Sequence, residues 1–188
     1  FRNAQVTVIA PTGTIGLVMD CDTFGIEPEF SLIKNKRLSG GGELRLVNHQ
    51  VGKALLELGY QPDVIRRIVS GVERTGTANG LSDLRADHLP VFACAMDTAD
   101  VSGNVISTEG HLLMMAAVQP FISGAISKTI NLPHHSEPED VADCFLSGWR
   151  LGLKSLTVYR DGCKASQPLQ TGNTPAGVSR SEEHTSEL

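Results

Sequence analysis

Residues 125–160, AISKTINLPHHSEPEDVADCFLSGWRLGLKSLTVYR, divide into three elements whose order decides the fold class. Ile126, Lys128, Ile130 and Leu132 alternate with Ser127, Thr129 and Asn131, the period of a strand whose second face carries small polar groups. Ser136 and Glu139 have the S-x-x-E spacing of a capping box, after which Val141, Cys144, Phe145, Gly148, Trp149 and Gly152 recur at helical spacing. Phe145 and Trp149 are expected on the buried side of that helix. SLTVYR, residues 155–160, is a second strand after a short turn. Strand, helix, strand in this order is the unit from which parallel α/β folds are built.

Working outward, Thr108 is placed to cap a helix from Glu109 to Gln119, with Leu112, Met115 and Ala116 on one face, the Met114–Met115 pair in the core and Pro120 at its end. HLPVFACAM, residues 88–96, is too short for a helix of its own and reads as a buried strand or extended segment. Val51, Ala54, Leu55 and Leu58 mark a helix ended by Gly59, and Val64, Ile65, Ile68, Val69 and Val72 mark a second after Pro62. Gly76 to Arg85 is connector. Residues 29–37 and 43–48 flank a Gly-rich SGGG and read as a β-hairpin, preceded by a turn at Gly25 and Pro28.

At the start of the chain, Val6 to Ala10 is short, β-branched and bounded by Pro11, the pattern of a buried strand. It runs into APTGTIG, residues 10–16. Gly13 lets the backbone turn tightly and a ligand approach it, while Thr12 and Thr14 offer hydroxyls beside free backbone N–H groups. A helix beginning at Thr14 or Ile15 would point its unpaired amides and positive dipole end into this loop, an arrangement suited to phosphate. The spacing is neither G-x-x-x-x-G-K-[ST] nor G-x-G-x-x-G. The competing reading is a tight strand-to-helix turn with a threonine cap.

Composition narrows the class. With 188 residues, 40% hydrophobic and 20% charged, the chain can bury the core of one ordinary domain. No apolar run reaches the length of a membrane span, and Phe1-Arg2-Asn3 has no signal-peptide pattern, so we expect a soluble segment that begins inside a longer protein. A net charge of −5 argues against a basic nucleic-acid surface but not against a local anion site. Cys21, Cys94, Cys144 and Cys163 form no C-x-x-C pair, which favours reduced thiols in the cytoplasm over zinc, with Cys144 buried on its helix. From Gln167 onward the composition is that of a disordered tail, leaving residues 1–166 as the folded part. Residues 180–188, RSEEHTSEL, are what a common sequencing-adapter oligonucleotide spells in one reading frame, and are excluded from the reading of the fold.

Other chemistry-bearing residues are weaker markers. Glu27, Asp20 and Asp22 are turn acids, suited to proton transfer or simply to capping. Lys128 reaches either an anion or solvent. His88, His111, His134 and His135 lack metal-ligand spacing. Tyr159, Arg160 and Asp161 end a strand, where parallel folds keep their sites.

Taken together, APTGTIG, GIEP (25–28), HLPVFACAM, MMAAVQPFISGAISKTINLP (114–133) and GLKSLTVYRDGCK (152–164) resemble, in order and spacing, the C-terminal part of the catalytic barrel of ribonucleotide reductases. The likeness covers about residues 4 to 170 and is strongest to the adenosylcobalamin-dependent class II enzymes, which the SLIKNKRLSGGGELRLVNHQ segment (31–50) also resembles. The resemblance implies part of a ten-stranded α/β barrel. It implies a reaction in which a cysteine thiyl radical abstracts the 3′-hydrogen of a ribonucleotide and a cysteine pair supplies electrons to replace the 2′-hydroxyl. It also implies that Pro11, Thr12, Gly13, Thr14 and Ile15 hold the substrate phosphates, two or three in number. Adenosylcobalamin, a thioredoxin-like reductant and a homodimeric full-length enzyme come with the same resemblance.

The departures matter. The radical cysteine, its Asn and Glu neighbours and the redox pair lie upstream in the family, and none of the four cysteines here matches them. No catalytic residue is therefore expected in this segment, which should be inactive alone. Class I large subunits place a tyrosine pair where Thr157 and Val158 stand here, so a class I enzyme is the alternative within the family. A nucleotide- or phosphate-binding module without chemistry is the alternative outside it.

Overall fold

The computed structural model describes residues 2–37, 43–96 and 104–163. In chain order these form α1 (Gly13–Val18), the hairpin strands β1 (Ile33–Arg37) and β2 (Glu43–Val47), and helices α2 (Gln50–Glu57) and α3 (Pro62–Thr75). A 3-10 helix (Ala86–Phe92), α4 (Thr108–Val118), a 3-10 turn (Gln119–Phe121), β3 (Thr129–Leu132), α5 (Pro138–Arg150) and β4 (Thr157–Arg160) follow. The anticipated disordered tail and the SGGG loop of the hairpin lie outside the described residues.

The strand, helix, strand unit is present. β3 and β4 pair in parallel with Thr129 opposite Thr157 and Leu132 opposite Arg160, and α5 makes the crossover. Ile126, Lys128, Ile130 and Leu132 are all buried, so the alternation holds across the strand and the three residues before it. A third chain segment joins alongside: Ile9 bridges Ile126 in parallel, its N–H donating to Ala125 O at 3.3 Å and its carbonyl accepting from Ser127 N at 2.9 Å. The pairing is confined to that bridge, and Val6 and Val8 are 74% and 59% exposed, which corrects the expectation of a buried strand over Val6 to Ala10. The segment is instead held by a clasp in which Val6 N and Thr7 N donate to Ser123 Oγ, each at 2.9 Å.

Two apolar clusters hold the chain. One gathers Leu32, Ile33, Val51, Leu55, Ile68, Val72 and Phe92 between the hairpin, α2, α3 and the 3-10 helix. The other gathers Leu112, Met115, Ile126, Ile130, Leu132 and Cys144 between β3, α4 and α5. Each fully buried Leu or Ile contributes about 1.5–3 kcal/mol of apolar burial. α3 ends as its sequence asks, at Gly76 with φ 84°, its amide donating to Val72 O.

Five local readings are corrected. HLPVFACAM is not a strand: its first half is the 3-10 helix, closed by His88 N to Arg85 O and Ala93 N to Pro90 O, and only Cys94 bridges Val105. Pro90 has no amide for a ladder, so turn bonds to its own neighbours prevail. The cap of α4 is Ser107, whose hydroxyl accepts from Gly110 N, one residue before Thr108. Within α4, Met115 is buried but Met114 is 54% exposed. On α5 the capping box is Glu137 with Asp140, not Ser136 with Glu139, and only one edge of the apolar stripe is covered. Cys144 is buried in the cluster with α4 and β3 and Gly148 lies against Leu153 and Leu156, whereas Phe145 and Trp149, a step further round the helix, are 49% and 76% exposed.

Candidate functional site

After bridging Ile126, the chain leaves the sheet at Ala10 and turns sharply. Thr12 takes φ 53°, a left-handed backbone that a β-branched residue adopts only when its surroundings impose it. α1 then begins at Gly13, one residue earlier than Thr14, with Gly16 N donating to Thr12 O at 2.8 Å. The amides of Gly13, Thr14 and Ile15 precede the first bond of this helix and have no acceptor among the described residues. A Cβ placed on Gly13 meets nothing within 4 Å, so the side of the loop that a side chain there would occupy is open. Pro11, Thr14 and Ile15 are exposed and Thr12 and Gly13 half-buried. All five residues thus lie in one accessible turn.

The 24–27 turn braces this loop from behind. Gly25 has φ 57°, and a Cβ there would stand 2.8 Å from Ala10 O and 3.4 Å from Thr12 Oγ1, so glycine is required both by conformation and by closeness. At the loop's other end, a Cβ on Gly16 would stand 2.5 Å from the Phe24 ring. APTGTIG and GIEP are therefore packed against each other.

Glu27 closes that turn onto β3. Its Oε1 accepts from Thr129 N at 2.6 Å and its Oε2 accepts from Lys128 Nζ at 3.2 Å. Lys128 is 3% exposed, so of the two alternatives, an anion or solvent, it meets the first, the Glu27 carboxylate of its own chain. Its other two donors go to His111 Nδ1 at 2.6 Å and to Thr129 O at 3.2 Å, so all three ammonium hydrogens have acceptors. Burial lowers the Lys128 pKa, and the facing Glu27 carboxylate opposes that fall. His111, 1% exposed, is pushed down to about 4 by burial first and by the Lys128 charge second. It is neutral near pH 7, with Nδ1 accepting from Lys128 and the proton on Nε2, a buried atom with no partner among the described residues.

The remaining candidates lie apart from this group. Asp22 accepts from Gln50 Nε2 at 2.8 Å and lies 3.6 Å from His49 Nδ1, tying the loop to the start of α2. Asp20 is exposed, with φ 54°. His88 contacts the Tyr60 hydroxyl at 3.0 Å, and His134 Nδ1 lies 3.1 Å from Asp161 O. Arg160 donates to His134 O at 2.8 Å, so the strand-end residues join the loop after β3 to the turn after β4. Cys94 and Cys144 are buried, Cys21 and Cys163 exposed, and the four are free of disulfides. No cluster of His, Cys, Asp or Glu suited to a metal occurs among the described residues.

Sequence reasoning named Glu27 and Lys128 separately and set His111 aside. The available signal was the position of Lys128: it shares a strand face with Ile126, Ile130 and Leu132, and a cation on a buried face must find acceptors from elsewhere in the chain.

What the fold and site define is a mixed α/β protein with parallel pairing, carrying an exposed, amide-lined loop beside its sheet. The profile of the family described as "Ribonucleotide reductase, barrel domain" matches residues 1–159, and the chain belongs to that family. It is 50% identical over 169 residues to a vitamin B12-dependent ribonucleotide reductase of Streptantibioticus cattleyicolor, covering 90% of this chain and 27% of the relative. To the protein of the same name from Rhodopirellula baltica it is 52% identical over 171 residues, 91% of this chain and 16% of the relative. The chain thus spans well under a third of the relatives it matches. Among solved structures, the Actinobacillus ureae class Id ribonucleotide reductase alpha subunit shares the fold, with a TM-score of 0.55 and 19% identity over 81% of this chain and 25% of that one.

Proposed function

We propose that this chain is the substrate-phosphate-holding part of a vitamin B12-dependent ribonucleotide reductase, which converts ribonucleoside di- or triphosphates to 2′-deoxyribonucleotides. The observation that carries the reading is the exposed turn Pro11–Ile15, with three partnerless amides and the open face of Gly13, in a chain half identical to reductases so named. Main-chain N–H groups and the hydroxyls of Thr12 and Thr14 offer an oxyanion several donors at once, with no lysine needed. Fixing the phosphates fixes the ribose relative to reacting groups contributed by the rest of the enzyme, the entropic part of the catalysis.

β3, β4 and the Ile9 segment are, on this reading, three neighbouring parallel staves of the ten-stranded barrel, and residues 1–166 are its C-terminal portion. Adenosylcobalamin supplies the radical that starts the chemistry. Thr157 and Val158 offer no redox-active side chain for a radical arriving from another subunit, which supports a locally generated radical. No residue described here is assigned to the corrin, and no step of this segment passes through it. A thioredoxin-like reductant, a homodimeric enzyme and a cytoplasmic location complete the proposal; no helix among the described residues is long and apolar enough to cross a membrane.

The test uses a full-length reductase carrying this segment, assayed for deoxyribonucleotide formation with and without adenosylcobalamin. Gly13→Val places its side chain in open space, so the fold survives while phosphate approach is blocked and substrate KM rises at least about tenfold. Activity independent of cobalamin refutes the class, and an unchanged KM refutes the loop.

A further inference from the structure

We propose that Glu27 and Lys128 are positioning residues for the phosphate loop, acting through the 24–27 turn; the inference rests on the loop assignment above and extends it. The connection is continuous. Lys128 is held on β3 by Thr129 O and by His111 of α4, and it holds Glu27 Oε2. The other oxygen, Oε1, takes the Thr129 amide at 2.6 Å, so one carboxylate is pinned to the first residue of the strand and to the residue before it. Glu27 N donates to Phe24 O at 3.0 Å, making the turn a single closed unit. That unit presents Gly25 to Ala10 and Thr12 and the Phe24 ring to Gly16, one contact at each end of the loop.

The loop needs such a support. Ile9 is its last residue bonded to the sheet, α1 has six residues, and Ile15, Val18 and Met19 are 63–78% exposed. Little apolar burial holds it, and Thr12 must be kept in a left-handed backbone. A phosphate is bound well only when the amides already point at it, because ordering them on binding costs affinity. Glu27 and Lys128 therefore act on substrate affinity without touching substrate. Lys128 has no donor left for an oxyanion.

Three variants of a full-length reductase test this: Glu27→Gln, Lys128→Met and the pair combined. In Glu27→Gln the new amide N–H group faces the ammonium, the turn loosens from β3, and KM rises about tenfold while kcat falls by a smaller factor. Each single variant leaves one buried polar partner uncompensated and lowers the melting temperature. The double variant removes both charges and recovers part of the melting temperature, His111 Nδ1 still lacking its Lys128 donor, yet KM stays raised because the turn is tied to β3 more weakly. A merely structural pair would return KM together with the melting temperature, and that result overturns the proposal, as does a wild-type KM in Glu27→Gln. Gly13→Val run in parallel separates the two readings. If it raises KM and the Glu27 and Lys128 variants do not, the positioning role falls and the loop stands; if none of them raises KM, the loop assignment falls first.

Discussion

Lowering the pH from 7 to 5 should weaken this fold by a contribution assignable to His111. The unfolded chain protonates it near its ordinary value of 6.5, whereas the folded chain resists protonation down to about 4, because the ring is buried and already faces the Lys128 ammonium. Between those values the unfolded state binds a proton that the folded state refuses, so stability is complete above 6.5 and drains as the pH falls. The gap of about 2.5 between 6.5 and 4 corresponds to about 3 kcal/mol in the acid limit, of which about 2 kcal/mol is already lost at pH 5. Urea unfolding of a full-length reductase carrying this segment, at pH 7, 6 and 5, measures the loss. Other groups titrate over the same range, so the informative quantity is the difference from His111→Asn, whose Oδ1 can accept from Lys128 but whose side chain does not titrate. The wild type should lose about 2 kcal/mol more than the variant between pH 7 and 5. Parallel losses would refute the buried neutral imidazole.

Further outcomes follow from the packing. Ile130→Ala, at a site with 0% exposure between α4 and α5, should cost about 2–5 kcal/mol in urea unfolding. Gly25→Ala should destabilise the loop by about 1–3 kcal/mol, since it combines φ 57° with a Cβ 2.8 Å from Ala10 O, and limited proteolysis after the substitution should cut first within residues 10–28. Brief alkylation of the native protein followed by peptide mapping should modify Cys21 and Cys163 and spare Cys94 and Cys144; burial also raises the Cys144 thiol pKa, keeping it as unreactive thiol.

The elements with strong local signals were readable from the sequence. α2 and α3 appear where the period of 3.6 and the punctuation at Pro62, Gly59 and Gly76 put them, and the hairpin and the unit running from β3 through α5 to β4 appear where alternation did. The misreadings share one cause: a local pattern shows that an apolar face exists but not what covers it. Trp149 and Cys144 belong to the same helical stripe, yet only the Cys144 and Gly148 edge is covered, by the cluster of α4 and β3 and by Leu153 and Leu156. Val6 and Val8 look like core residues because they are β-branched, but the chain beside them turns away at Gly124, whose N–H donates to Thr7 O. The caps of α4 and α5 differ from expectation by a single residue, because several adjacent side chains can accept the same orphan amides.

The exposed amide turn proposed to hold an anion was legible in the sequence and its support was not, and the difference is one of sequence distance. Residues 11–15 are contiguous, so glycine, threonine and free amides can be read together in one window. The support requires Lys128 to meet Glu27 across 101 residues and His111 across 17, and no local pattern encodes such a meeting. It is nevertheless constrained by energy. A buried ammonium is tolerated only when its donors are met and its charge is opposed, so an alternating strand reading I-S-K-T-I-N-L requires a carboxylate and two further acceptors from elsewhere in the fold. In this chain a turn acid, a helix histidine and a strand carbonyl meet that requirement. Because the acid belongs to the turn that braces Thr12 and Gly16, satisfying the lysine also sets the loop.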